Sequence, residues 1–146
     1  MIQEFVEAWD KNKGKLEERI KKYKNHHYLD YRDLVVMLFE TVINPEYDDG
    51  WDEAIFNVDD MTVLDHGDYQ GTLIFILHHN WYQPSVCDYV YTSVYYGSCS
   101  GCDTLQWIQS MGDYEEGATP NEEQVKDYMT LCLHLLQNCS YLKGEE

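Results

Sequence analysis

Cys99 and Cys102 stand three apart in Tyr95-Tyr96-Gly97-Ser98-Cys99-Ser100-Gly101-Cys102-Asp103-Thr104-Leu105. Three chemistries fit that spacing. The first is thiol redox: a C-x-x-C at a helix start has a depressed thiol pKa, because the helix N-terminus favours the thiolate. The flanks differ from those of a thioredoxin, with no aromatic directly before Cys99 and no βαβ unit ahead of it. The second is zinc, since Cys99 and Cys102 have knuckle spacing. A closed site takes four ligands, and with no second C-x-x-C the others would come from Cys87, His66, His78 or His79. The third is structural: two small buried cysteines in a glycine-rich turn, or a backbone nest for an anion.

The remaining reactive residue types have plainer readings. Cys132 and Cys139 fall seven apart on the apolar face of the last expected helix and belong to the core. His134 lies off that stripe and is expected at the surface. His78 and His79 end a strand, so their rings point to opposite faces and cannot share a metal without a bulge. His26-His27 reads as a loop pair between two helices. Asp65-His66-Gly67-Asp68, with His78 and His79, would be the seat of a metal-dependent hydrolase if the fold joined them, but a polar turn explains these residues as well. No Ser or Cys nucleophile stands at a diagnostic spacing from them. No phosphate-binding glycine loop, H-E-x-x-H or calcium loop is present. Asp48-Asp49-Gly50 lacks the alternating ligands and closing glutamate of a calcium site. The sequence thus leans away from an enzyme.

Charge is the strongest global signal. The chain carries a formal net charge of −17. Residues 1–32 are nearly balanced, and beyond them only Lys126 and Lys143 oppose 21 Asp and Glu. Acids cluster at 46–60 (Asp48, Asp49, Asp52, Glu53, Asp59 and Asp60 among them) and again at Asp113, Glu115 and Glu116. Such a field repels nucleic acid and anionic membrane, and draws in a basic protein surface. These acids are the candidate partner-binding residues. A solvated surface is the bland alternative.

The elements that must position these residues follow from hydrophobic period. Ile2, Phe5, Val6, Trp9, Leu16, Ile20 and Tyr23 predict a first helix, which Gly14 could split. Glu17 with Lys21 and Glu18 with Lys22 are favourable pairs along it. A second helix is predicted from an Asp30 cap to Ile43, stopped by Asn44-Pro45. Residues 46–60 read as a loop with a short ordered piece at Trp51 to Val58. Strands are predicted at 61–65, 72–79 and 87–96, with a turn at 80–85. A short helix carrying Leu105, Ile108 and Met111 follows. Thr119-Pro120-Asn121-Glu122 reads as the capping box of a last helix running through Val125, Tyr128, Cys132, Leu135, Leu136 and Cys139 to Leu142. The order predicts one α+β domain over residues 1–146, a small antiparallel sheet of about three strands covered by N-terminal and C-terminal helices. The longest apolar run, Leu34 to Phe39, is too short to span a bilayer. Glu4, Glu7 and Asp10 stand where a signal peptide would be basic and then apolar, and five cysteines is an odd number, so a cytoplasmic, reducing compartment is expected.

The Tyr96–Leu105 segment, with Tyr69-Gln70-Gly71-Thr72 and Tyr82-Gln83-Pro84, resembles a pattern in small uncharacterised bacteriophage and prophage proteins, over roughly residues 64–108. The resemblance brings no activity and no catalytic residue. It implies a phage accessory protein acting in the host cytoplasm, of a kind that often inhibits host restriction or CRISPR machinery, and in which acidic members resemble duplex DNA in charge layout. Together with the charge, the expectation is a non-enzymatic acidic protein that docks on the basic surface of a host nucleic-acid-binding or defence protein, with no cofactor. The alternative is a thiol-redox or zinc protein built on Cys99 and Cys102.

Overall fold

Helix α1 spans Gln3–Lys21 without a break, and Gly14, with nothing near its Cα, does not split it. Phe5, Ala8, Trp9, Asn12, Leu16 and Ile20 form its buried stripe. Glu17 and Glu18 both reach Lys21, at 3.2 and 3.5 Å, so the second expected pair uses Lys21 rather than Lys22. The computed structural model describes residues 1–51, 53–81 and 83–142.

Helix α2, Tyr31–Leu38, opens on a reciprocal box in which Asp30 caps Asp33 N–H (2.8 Å) and Asp33 caps Asp30 N–H (3.0 Å). The apolar stripe continues to Ile43 as expected, but Phe39–Ile43 widens into a π turn before one tight turn at Asn44–Glu46. Such turns disturb the regular backbone ladder. Buried Asn12 of α1 donates to the carbonyl of Val42 (2.9 Å) within this turn and to Glu46 (3.0 Å) beyond it.

The sheet has four antiparallel strands in the order β1 (Thr62–Gly67), β2 (Gly71–His78), β3 (Tyr89–Tyr96) and β4 (Ser140–Tyr141). The first three are the expected meander. The fourth corrects the long last helix: α4 spans Glu122–Gln137, and the chain then turns back to pair Ser140 and Tyr141 with Tyr91 and Val90. Gly67 faces Gly71 across the β1–β2 hairpin, where a Cβ on either would crowd the other's backbone. That contact explains the two glycines.

Phe75 and Leu77 of β2 sit directly opposite Thr92 and Val90 of β3, and all four are buried. They form the inner face. Tyr128, Leu131, Cys132, Leu135 and Leu136 of α4 join the same core, and Thr92 Oγ1 donates to Leu135 C=O (2.6 Å). Val63 of β1 shares this face through its pairing with Phe75, yet it is 39% exposed. The helical layer thus covers β2 and β3 and leaves β1 uncovered at the sheet edge. The last helix is capped by Asn121, which exchanges hydrogen bonds with Gln124 (2.8 and 3.0 Å). The expected box at Thr119 is two residues early, because Asn121 also offers a short polar side chain with a glutamine three residues on. Helix α3, Thr104–Gln109, ends before Met111, which is exposed rather than part of its stripe. Among the described residues no helix is long and apolar enough to cross a membrane.

Candidate functional site

The loop from Gly97 to Asp103 joins β3 to α3 and carries the cysteine pair. Asp103, 5% exposed, holds both of its ends. Its Oδ2 accepts Gly97 N–H (2.9 Å), and its Oδ1 accepts Gln106 N–H (3.0 Å), capping α3, and the Tyr31 hydroxyl (2.9 Å). Gln106 Nε2 donates to Gly97 C=O (3.2 Å), and Leu105 N–H donates to Tyr31 Oη (3.2 Å). Burial is the main reason that the Tyr31 hydroxyl is pushed far above its usual range, so it stays protonated and donates.

Inside this frame Cys102 N–H donates to Cys99 C=O (3.1 Å), closing a turn. Cys99 N–H donates to Cys102 Sγ (3.3 Å), and the two sulfurs are 3.0 Å apart. Both cysteines are exposed, which corrects the expectation of a buried structural pair. The Cys99 thiol first, and its backbone N–H second, hold the Cys102 thiol below the ordinary thiol range. Gly97 is required here: a Cβ on it would lie 2.6 Å from Cys102 Sγ and would crowd its carbonyl. Cys132 and Cys139 are buried as expected, and burial pushes both thiols up to about 12. Among the described residues no group of three or more His, Cys, Asp or Glu is placed to hold a metal ion. A closed zinc site takes four ligands, and Cys87, His66, His78 and His79 do not gather around Cys99 and Cys102.

The candidate acids lie in two groups. Asp48 and Asp49 accept Gly50 and Trp51 N–H (3.0 and 3.1 Å), building tight turns. Asp59 and Asp60 follow Asn57, whose Oδ1 accepts both of their N–H groups (2.9 and 3.1 Å). Between these two turns in the chain, Glu53 is exposed and Phe56 bridges to His79. Asp52 lies outside the described residues. A cleft of about 660 Å³ opens in this group, lined by Glu40, Asn44, Asp48, Phe56, Asp59 and Asn80. Its floor is fixed by Asn44, which donates to Phe56 C=O (3.0 Å) and accepts Phe56 N–H (2.9 Å). Phe56 packs against Phe5 near the start of α1. Asp113, Glu115 and Glu116 lie at the other end of α1, where Gly117 and Ala118 bond to Asn25. The first group meets α1 through Phe56 on Phe5 and Glu46 on Lys11 and Asn12, and the second lies past the C-terminal end of α1. All the described candidate acids are exposed. Among the described residues none pairs with Lys or Arg, and Asp60 alone has a cationic partner, His78 (3.0 Å).

His26 differs from its sequence reading, whereas His134 is exposed as expected. His26 is fully buried, its Nδ1 hydrogen-bonded to the Tyr128 hydroxyl (2.8 Å), while its Nε2 and Nδ1 of His27 are buried with no partner among the described residues. His78 and His79 do part, the first to Asp60 and the second to Ala54 C=O (2.6 Å) and the Phe56 ring. Asp65 accepts the Tyr96 hydroxyl (2.5 Å), away from His78 and His79, so the hydrolase constellation is not assembled.

Two histidines set opposite pH dependences. Burial, then His27, lowers the His26 pKa. Its folded value lies below the unfolded value of about 6.5, so its contribution is present above that pH and is lost as pH falls through the folded value. At His78, burial acts downward, but the Asp60 and His79 carbonyl hydrogen bonds and the Asp60 charge outweigh it and raise the pKa. Its contribution is full below about 6.5 and is lost as pH rises through the folded value. Thermal melts from about pH 8 to about pH 5 therefore have opposite signatures. The stability difference between wild type and His26→Gln shrinks on acidification, and that between wild type and His78→Gln grows. Equal differences across the range would contradict both assignments.

Asp103, Tyr31, Asn44, Phe56 and His26 do the positioning, and the sequence marked none of them as such. Asp103 alone carried a signal, as a short acid ahead of an apolar helical stripe. No protein-family model matches this chain, and no curated protein or solved structure matches it.

Proposed function

We propose that this is a non-enzymatic binding protein that docks carboxylates into a basic, nucleic-acid-binding surface of another protein. The observation that carries the reading is the uncompensated charge: the exposed candidate acids of both groups have no Lys or Arg partner among the described residues. Unpaired carboxylates on a body of net charge −17 gain most from a cationic surface that supplies the missing partners, and they speed encounter with it. The cleft beside Asp48 and Asp59 has the chemistry to take an arginine or lysine side chain, with amide groups to orient it. The resemblance to phage accessory proteins adds a class of partner, a host defence or nucleic-acid-handling protein, as in inhibitors of restriction or CRISPR systems.

The test is capture from host lysate at low and high salt, followed by affinity measurement with the partner found. Affinity should fall at least about tenfold between roughly 50 and 200 mM salt. Duplex DNA should compete for the same surface. The double reversal Asp48→Lys with Asp59→Lys should weaken binding more than either single reversal. Salt-insensitive affinity, with no competition from DNA, would sink the reading.

A further inference from the structure

We infer that Cys99 and Cys102 form a reversible dithiol–disulfide site that exchanges with small-molecule disulfides of the glutathione class. The site goes beyond the carboxylate surface and uses none of its residues.

Four observations carry it. The sulfurs lie 3.0 Å apart, already in contact. The turn closed by Cys102 N–H on Cys99 C=O keeps the two Cα atoms within about 7 Å, close to the span a disulfide bridges. Both residues are exposed, so an external disulfide can reach them. The frame is also built in advance: Asp103 ties Gly97 to the start of α3, and Gly97 has no side chain to push Cys102 away. The hydrogen bonds onto Cys102 Sγ come chiefly from Cys99, with Ser98 adding to them, and they favour its thiolate. Cys102 is therefore the attacking sulfur and Cys99 the resolving one. A hollow of about 390 Å³ lined by Ser100, Gly101, Cys102, Asp103, Thr104 and Trp107 opens on the attacking Cys102 and offers polar groups to a small peptide-like disulfide, and a second of about 510 Å³ opens on Cys99.

The exchange balances. Cys102, having given its proton to solvent, attacks one sulfur of the small disulfide, forms a mixed disulfide and expels one thiolate. Cys99 gives up its proton and attacks Cys102 Sγ. The Cys99–Cys102 bond forms and the second thiolate leaves. The two expelled thiolates take up two protons. Two protein thiols are oxidised and one small disulfide is reduced to two thiols. A bridge across so short a loop gains little from loop-closure entropy, and its exposure places it among the labile, reducible disulfides.

The test uses the full chain, reduced and then incubated with oxidised glutathione, quenched by alkylation and mapped by mass spectrometry. Of the three exposed cysteines, Cys87, Cys99 and Cys102, two should lose alkylation together, in an intrachain bridge that excess reduced glutathione reopens. Cys99→Ser should trap glutathione on Cys102. Cys102→Ser should take up glutathione at Cys99 more slowly than Cys99→Ser does at Cys102. Circular dichroism checks that both variants fold. The proposal is overturned if Cys99 and Cys102 stay fully alkylatable in excess oxidised glutathione, or if only Cys87 is modified. It is overturned equally if zinc copurifies at one equivalent and shields the pair from alkylation.

Discussion

Phe56→Ala is expected to cost about 4 kcal/mol of folding stability, at the upper end of what loss of one buried aromatic does. Phe56 is 1% exposed and stands at the centre of a ring cluster. Its ring meets Phe5, Phe39 and Tyr47 edge-on at 5.8, 5.5 and 5.4 Å and stacks on His79 at 4.1 Å. Removing it opens a cavity whose walls come from α1, the π turn, the acidic segment and the end of β2, so no single element can move in to fill it. Domains of this size are stable by about 5–15 kcal/mol, so the variant should lose a quarter or more of its margin. The urea midpoint should fall accordingly. Phe56→Leu, which keeps most of the volume, should lose about 1.5 kcal/mol. A loss below about 1 kcal/mol for the alanine variant would mean that the segment is anchored elsewhere. The functional effect is local: acids at 48–60 lose their fixed floor, whereas Asp113, Glu115 and Glu116 keep theirs.

Asp103→Ala is expected to cost about 3 kcal/mol. It removes the cap of α3, the tie to Gly97 and the acceptor of the Tyr31 hydroxyl in one step. The cap alone is worth about 1 kcal/mol. The larger share comes from buried donors left unsatisfied, Gly97 N–H and the Tyr31 hydroxyl. Asp103→Asn keeps one acceptor oxygen and should recover about half the loss. A double-mutant cycle with Tyr31→Phe separates the terms. Because Phe has no hydroxyl to leave unpaired, the two losses should fall short of additivity by about 1 kcal/mol. Strict additivity would show that the buried pair contributes nothing. Denaturant unfolding followed at Trp107, which lies on α3, reads the change.

The meander and the Asp30 cap were legible because both rest on short-range rules. Strict alternation in Tyr89–Tyr96 puts Val90 and Thr92 on one face, and the fold buries both. The Asp30 cap announced α2 through a side chain three residues from its target. The π turn was not legible. Phe39, Val42 and Ile43 keep a helical spacing, and what widens the turn there is tertiary packing, with Asn12 thirty residues away satisfying Val42. Strand β4 was hidden for a like reason. Cys139, buried in the core, extends the apolar stripe of α4 past its real end, and two residues are too few to show a period of their own. In the cysteine loop the sequence supplied the spacing but not the exposure. Glycine and serine neighbours fit a buried or an exposed turn, and the choice is made by Asp103 turning inward to Tyr31. His26 was misread because its burial depends on Tyr128, 102 residues away.

The uncovered strand β1 has a consequence for how molecules of this protein treat one another. Its outer margin leaves main-chain donors and acceptors free to zip onto any extended polypeptide, and Val63 and Leu64 expose apolar side chains, one on each face of that margin. Among the described residues no helix shelters it; Asp59 and Asp60 precede the strand, Asp65 lies within it and Asp68 follows it. Mutual repulsion between such margins keeps identical molecules from fusing sheet to sheet, and acid or concentrated electrolyte disarms it. The anionic exterior is therefore a fence against self-stacking and, on the function proposed above, also a lure for a cationic counterpart.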